Sequence, residues 1–143
     1  MATPAEIHDA KLLIVDDREA NVLLLQSMLD GDGYLSVAST LDPSAVCELH
    51  RKNRYDLILL DLNMPGMDGF EVMEGLRGIQ KECVLPVLVI TAQPDHWLRA
   101  LKAGAKDFVS KPFKVTEVLR RVHDLLESRL TSRRPGPALQ ATR

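Results

Sequence analysis

The chain has 143 residues, 45% of them hydrophobic and 27% charged, with a formal net charge of −2. That length suits one domain of ordinary globular composition, and that charge gives no global pull towards nucleic acid or an anionic surface. No apolar run approaches the roughly 20 residues of a membrane span, and no basic region leads into an apolar one at the N-terminus, so a cytoplasmic protein is the default expectation.

Residues 1–10 read as an N-terminal extension. Lys11 to Val15 (KLLIV) is a buried-strand run that stops at Asp16 and Asp17. Glu19 to Leu29 places Val22, Leu25, Gln26 and Leu29 at helical spacing and ends in the turn Gly31-Asp32-Gly33. Tyr34 to Ala38 is a short second strand, and Pro43 to Lys52 a helix with proline in its first turn. Leu57 to Leu60 (LILL) is the most apolar strand and again ends in an acid, Asp61. The turn-rich stretch Asn63 to Gly69 leads to a helix over Phe70 to Gln80, which Gly75 and Gly78 should weaken. Pro86 to Ile90 is a fourth strand ending at Thr91. Asp95 to Ala103 is a short helix closed by Gly104 as a left-handed cap. Lys106 to Val109 is the fifth strand, followed by Lys111-Pro112. Val115 to Leu130 carries Val118, Leu119, Val122, Leu125, Leu126 and Leu130 on one face, a core-packing stripe. Residues 131–143, rich in Pro, Gly and Arg, read as a disordered tail or a linker.

Strands that are apolar throughout and alternate with helices imply an α/β domain, residues 11–130, with a parallel sheet covered on both faces. In such sheets functional groups gather at the carboxyl ends of the strands. Asp16, Asp17, Asp61, Thr91 and Lys111 all fall there. The two cysteines (Cys47, Cys83) read as buried or half-buried thiols, and the four histidines (His8, His50, His96, His123) are scattered and match no ligand spacing.

Gathered within about 5 Å, three carboxylates repel by roughly 3 kcal/mol per pair at an effective dielectric of about 20. A proton or a cation must offset this, and a hard divalent ion such as Mg²⁺ suits an all-oxygen donor set. A carboxylate beside Mg²⁺ can attack phosphorus and form an aspartyl phosphate. Lys111 can supply a cation to the transferring group and Thr91 a hydroxyl donor. A cis bond between Lys111 and Pro112 would aim the lysine into the site. Singly these residues are weak signals, since an acid at a strand end is more often a cap or a solvated loop residue. Their joint occurrence on these strands carries the reading.

Val15-Asp16-Asp17, Asp61 through Gly69 (DLNMPGMDG), Ile90-Thr91-Ala92, Gly104-Ala105 and Lys111-Pro112-Phe113 resemble the motif set of response-regulator receiver domains. The resemblance covers about Lys11 to Leu130 and implies a flavodoxin-like five-stranded sheet of order 2-1-3-4-5 with helices on both faces. It implies Asp61 as phosphoacceptor, and Mg²⁺ held by Asp17 and Asp61, by the Asn63 carbonyl, and by Asp16 largely through water. Thr91 and Lys111 would hold the phosphoryl group. Thr91 and Phe108 would form the switch, remodelling the face of the 95–103 helix, the fifth strand and the last helix. The partners implied are a histidine kinase or phosphotransfer protein and a downstream target or fused output domain, with a homodimer allowed. No turnover beyond self-phosphorylation and self-dephosphorylation is expected. The donor-docking surface, near the first predicted helix, reads as mostly polar. Trp97 either covers core or belongs to a partner surface.

Two alternatives stand beside this reading. Phosphatases of the haloacid dehalogenase type share an Asp, Mg²⁺, Thr and Lys. They need a second acid two residues after a nucleophile on the first strand, and here that position is Asn63. The chain also suits either a stand-alone receiver or a piece of a longer regulator.

Overall fold

The computed structural model describes residues 2–62, 69–79, 85–92 and 94–133. In chain order the elements are α1 (Pro4–His8), β1 (Lys11–Val15), α2 (Glu19–Gly31), β2 (Ser36–Thr40), α3 (Val46–Asn53), β3 (Leu57–Asp61), α4 (Gly69–Ile79), β4 (Val87–Thr91), α5 (Trp97–Lys102), β5 (Asp107–Ser110) and α6 (Val115–Arg133). One-turn 3₁₀ segments, Pro43–Ala45 and Pro94–His96, lead into α3 and α5.

The five strands form one parallel sheet in the order β2-β1-β3-β4-β5. This is the expected flavodoxin-like α/β architecture. Alternate residues of each strand point to opposite faces. Leu12, Ile14, Leu57, Leu59, Leu88, Ile90 and Val109 meet α1, α2 and α6. Leu13, Val15, Ile58, Leu60, Val87 and Val89 meet α3, α4 and α5. Right-handed crossovers dictate this division. The chain moves one way from β1 to β2 and the other way through β3, β4 and β5, so α2 lies on one face and α3 to α5 on the other. The reversal leaves a crevice between the carboxyl ends of β1 and β3.

Several boundaries differ from the sequence reading. The extension 1–10 contains α1, which Thr3 and Glu6 close with a reciprocal capping box. Ile7 is 3% exposed in the core, and Ala2 N–H donates to Glu127 Oε2 of α6 at 2.9 Å. Periodicity cannot reveal a five-residue helix; the Thr-Pro-Ala-Glu cap was its one signal. β2 starts two residues later than expected because Tyr34 serves the core: its N–H donates to Leu29 O, and its ring meets the edge of His8 at 5.4 Å. Burial, then the Asp32 charge, pushes the Tyr34 phenol up to about 12. The 95–103 helix is shorter, with α5 preceded by a 3₁₀ turn, and Gly104 follows with φ of 112°. α6 runs to Arg133, past the expected end at Leu130. The rest of the expected tail, 134–143, lies outside the described residues, as does Cys83.

Gly75 has a packing reason that helix propensity misses. A Cβ there would lie 2.7 Å from Cys47 Sγ, so its absence lets α3 and α4 approach. Cys47 itself is half-buried, and burial pushes its thiol up.

Candidate functional site

β1 ends at Val15 and β3 at Asp61, so Asp16, Asp17 and Asp61 meet at the crevice mouth. One carboxylate oxygen of each lies within 4.8 Å of the others. Asp16 and Asp61 are only 2% and 7% exposed, whereas Asp17 is more open. Lys111 Nζ sits 3.5 Å from Asp61 Oδ2 and 3.7 Å from Asp16 Oδ2. Among the described residues, three acids against one lysine leave a formal excess of two negative charges in a largely buried site. A divalent cation with oxygen ligands fits that charge and that donor chemistry.

The three acids are not equivalent. Asp16 Oδ1 accepts the Arg18 backbone N–H at 2.9 Å, and its Oδ2 accepts Asn21 Nδ2 at 3.2 Å. Both Asp16 oxygens are engaged by the start of α2. Asn21 was not foreseen; a polar residue in a first helical turn carries no signal of a site.

Thr91, at the end of β4, is fully buried. Its carbonyl accepts the Lys111 N–H at 2.8 Å, which ties the end of β4 to the residue after β5. The Lys111–Pro112 peptide is cis. Gly69, the first residue of α4, lies directly against Leu62 and the Asp61 carbonyl. A Cβ there would lie 2.7 Å from Leu62 Cα and 3.0 Å from Asp61 O.

The structure thus brings Asp16, Asp17, Asp61 and Lys111 together, with Thr91 beside them. Asn63 lies outside the described residues. Phe108 and Trp97 sit farther back, both half-buried, their rings stacked with centroids 4.8 Å apart and planes inclined by 22°. On α2 the expected mostly polar surface instead exposes Leu23 and Leu24, by 60% and 49%.

Residues 12–123 match the family model described as a response regulator receiver domain. The curated relative PleD, a response regulator of Caulobacter vibrioides, is 37% identical over 123 residues, which is 85% of this chain and 27% of PleD. PhoP of Bacillus subtilis, an alkaline phosphatase synthesis transcriptional regulatory protein, is 37% identical over 118 residues, 81% of this chain and 48% of PhoP. The chain therefore spans between about a quarter and a half of these relatives. Among solved structures, the receiver domain of sensor histidine kinase PA1611 from Pseudomonas aeruginosa superposes with a TM-score of 0.75 at 28% identity, over 83% of this chain and 98% of that one. That structure holds a magnesium ion in its active-site cleft. The chemotaxis protein CheY4 of Vibrio cholerae superposes equally well, at 0.75 and 28% identity over 82% of this chain and 98% of that one.

Proposed function

The chain belongs to the response regulator receiver domain family of two-component signalling, and from that premise we propose that it is a phosphoacceptor switch charged on Asp61. The observation that carries the reading is the cluster of Asp16, Asp17 and Asp61 within 4.8 Å, with Lys111 against two of its members.

A carboxylate oxygen of Asp61 attacks the phosphorus of a phosphohistidine on a kinase or phosphotransfer protein. The new P–O bond forms as the P–N bond breaks, and the electron pair leaves with the imidazole nitrogen. Asp17 and Asp61 by side chain, Asn63 by carbonyl, and Asp16 through water would hold Mg²⁺. The water-mediated role suits Asp16, whose oxygens are already engaged. Bound there, the ion offsets charge on the phosphoryl oxygens. Lys111 and the Thr91 hydroxyl take the remaining oxygens. Thr91 is drawn to the phosphoryl group and Phe108 turns inward behind it, which remodels the face of α5, β5 and α6. The exposed Leu23 and Leu24 on α2 offer apolar contact to the donor.

Acetyl phosphate with Mg²⁺ should add one acid-labile phosphoryl group, detected by intact mass. Asp61→Asn should accept none. Asp17→Asn should lose Mg²⁺ affinity and phosphorylation together, because it removes an anionic ligand. Equal modification of Asp61→Asn and wild type would overturn the assignment.

A further inference from the structure

The stack of Trp97 on Phe108 joins α5 to β5. Phe108 pairs with Val89 in the β4–β5 ladder, two residues before the pair of Ser110 with Thr91. Its backbone is pinned. The Phe108 N–H donates to Asp107 Oδ1 at 2.8 Å, and Arg121 Nη1 of α6 grips the two oxygens of that carboxylate at 2.6 and 2.7 Å. What Phe108 retains is rotation of its side chain. Trp97 in turn stands on an anchored helix, since Arg99 of α5 lies over the Phe70 ring of α4, 3.8 Å from its centroid.

We propose that Trp97 is a latch on the switch: its ring holds Phe108 in the outward, half-buried position and thereby lowers the affinity of the Asp61 site for a phosphoryl group. The inference rests on the phosphoacceptor reading above. Trp97 stands behind Phe108 and acts through it, as a positioning residue. An offset aromatic stack stabilises its partners beyond the area it buries. Turning Phe108 inward gives that contact up. Any free energy favouring the outward form is subtracted from the binding of a ligand that selects the inward form. Coupling between the two places is reciprocal, so removing the stack must tighten the phosphoryl site.

The test uses beryllofluoride with Mg²⁺, titrated by calorimetry into the full chain. Trp97→Leu keeps apolar cover but removes the ring, and should tighten binding by about 2- to 10-fold. Trp97→Met fills the same gap and should do the same, which keeps the test in hand if the leucine variant does not fold. Trp97→Phe restores an aromatic face and should bind as wild type does. In a Phe108→Leu background, Trp97→Leu should change nothing. Unchanged or weaker binding in folded Trp97→Leu or Trp97→Met overturns the latch, and so does equal tightening without Phe108. Failure of the phosphoacceptor reading has a different signature: no protein in the series, wild type included, would bind beryllofluoride.

Discussion

His50 is 5% exposed, and its Nδ1 accepts the Tyr55 backbone N–H at 3.1 Å. The fold therefore uses the neutral ring. Burial holds its pKa below the ordinary value, the charges of Arg54 and Arg129 push the same way, and Asp56 opposes them. As pH falls below about 6.5, the unfolded chain takes up the proton first. Stability is then complete above that pH and declines as pH drops through the depressed folded value. Urea unfolding at about pH 7.5 and about pH 5.5 should show the loss, before most carboxylates titrate. His50→Asn offers an acceptor that does not titrate and should lose less over the same interval. Equal losses in the two proteins would remove His50 from the account. The contrast with the site acids is instructive. Asp61 was legible because an acid ends the most apolar strand. His50 was not, because nothing in a lone histidine on a helix says that its ring faces a backbone N–H five residues on.

At the scale of elements, α3 and α4 show how packing overrides propensity. Replacing an interior helical glycine by alanine ordinarily gains about 1 kcal/mol. At Gly75 the new Cβ would meet Cys47 Sγ at 2.7 Å. Overpacking of that kind costs about 1–3 kcal/mol, so Gly75→Ala should be neutral to destabilising by up to about 2 kcal/mol. Adding Cys47→Ala removes the clashing sulfur and should recover the helix gain. Chemical denaturation of the two single variants and the double measures the coupling. If Gly75→Ala alone is stabilising by the full helix increment, the close approach of the two helices is wrong. α1 makes the opposite point. Its capping box was in the sequence, but only the burial of Ile7 and the bond from Ala2 to Glu127 make it part of the fold.

Across the whole molecule, the two ends of the sheet are braced differently. At the amino end, Asp56 accepts from Lys11 N–H at 2.9 Å and from Arg129 Nε of α6 at 3.3 Å, an ion pair with both side chains 13% exposed. At the carboxyl end, Asp16, Asp17 and Asp61 cluster with Lys111 against two of them, an arrangement whose charge a bound cation would offset. The bond from Lys111 N–H to Thr91 O ties the end of β4 to the residue after β5, and the stack of Trp97 on Phe108 ties β5 to α5. Trp97 is the only tryptophan, and its ring lies on Phe108. Saturating beryllofluoride with Mg²⁺ should change its emission. The change should vanish in Asp61→Asn and shrink in Thr91→Ala. An identical spectrum at saturation would mean that no rearrangement reaches α5.

The sequence by itself determined the fold class and the candidate site, because both rest on local pattern. Short apolar runs such as LILL, bounded by turn signals, suit strands buried on both faces, and each run stops at a polar residue that then lies at the sheet's carboxyl edge. Motif spacing from Asp16 to Pro112 did the rest, giving the family and with it the strand order. Tertiary structure alone decided which side chains touch across elements. The engagement of Asp16 by Asn21, the close approach of Gly69 to Leu62, the close approach at Gly75 and the stacking of Trp97 on Phe108 all join residues through the closing of the fold. Such contacts depend on helix rotation and depth to within an ångström or so. A hydrophobic period gives a helix its buried face but leaves both of those to the packing of its neighbours.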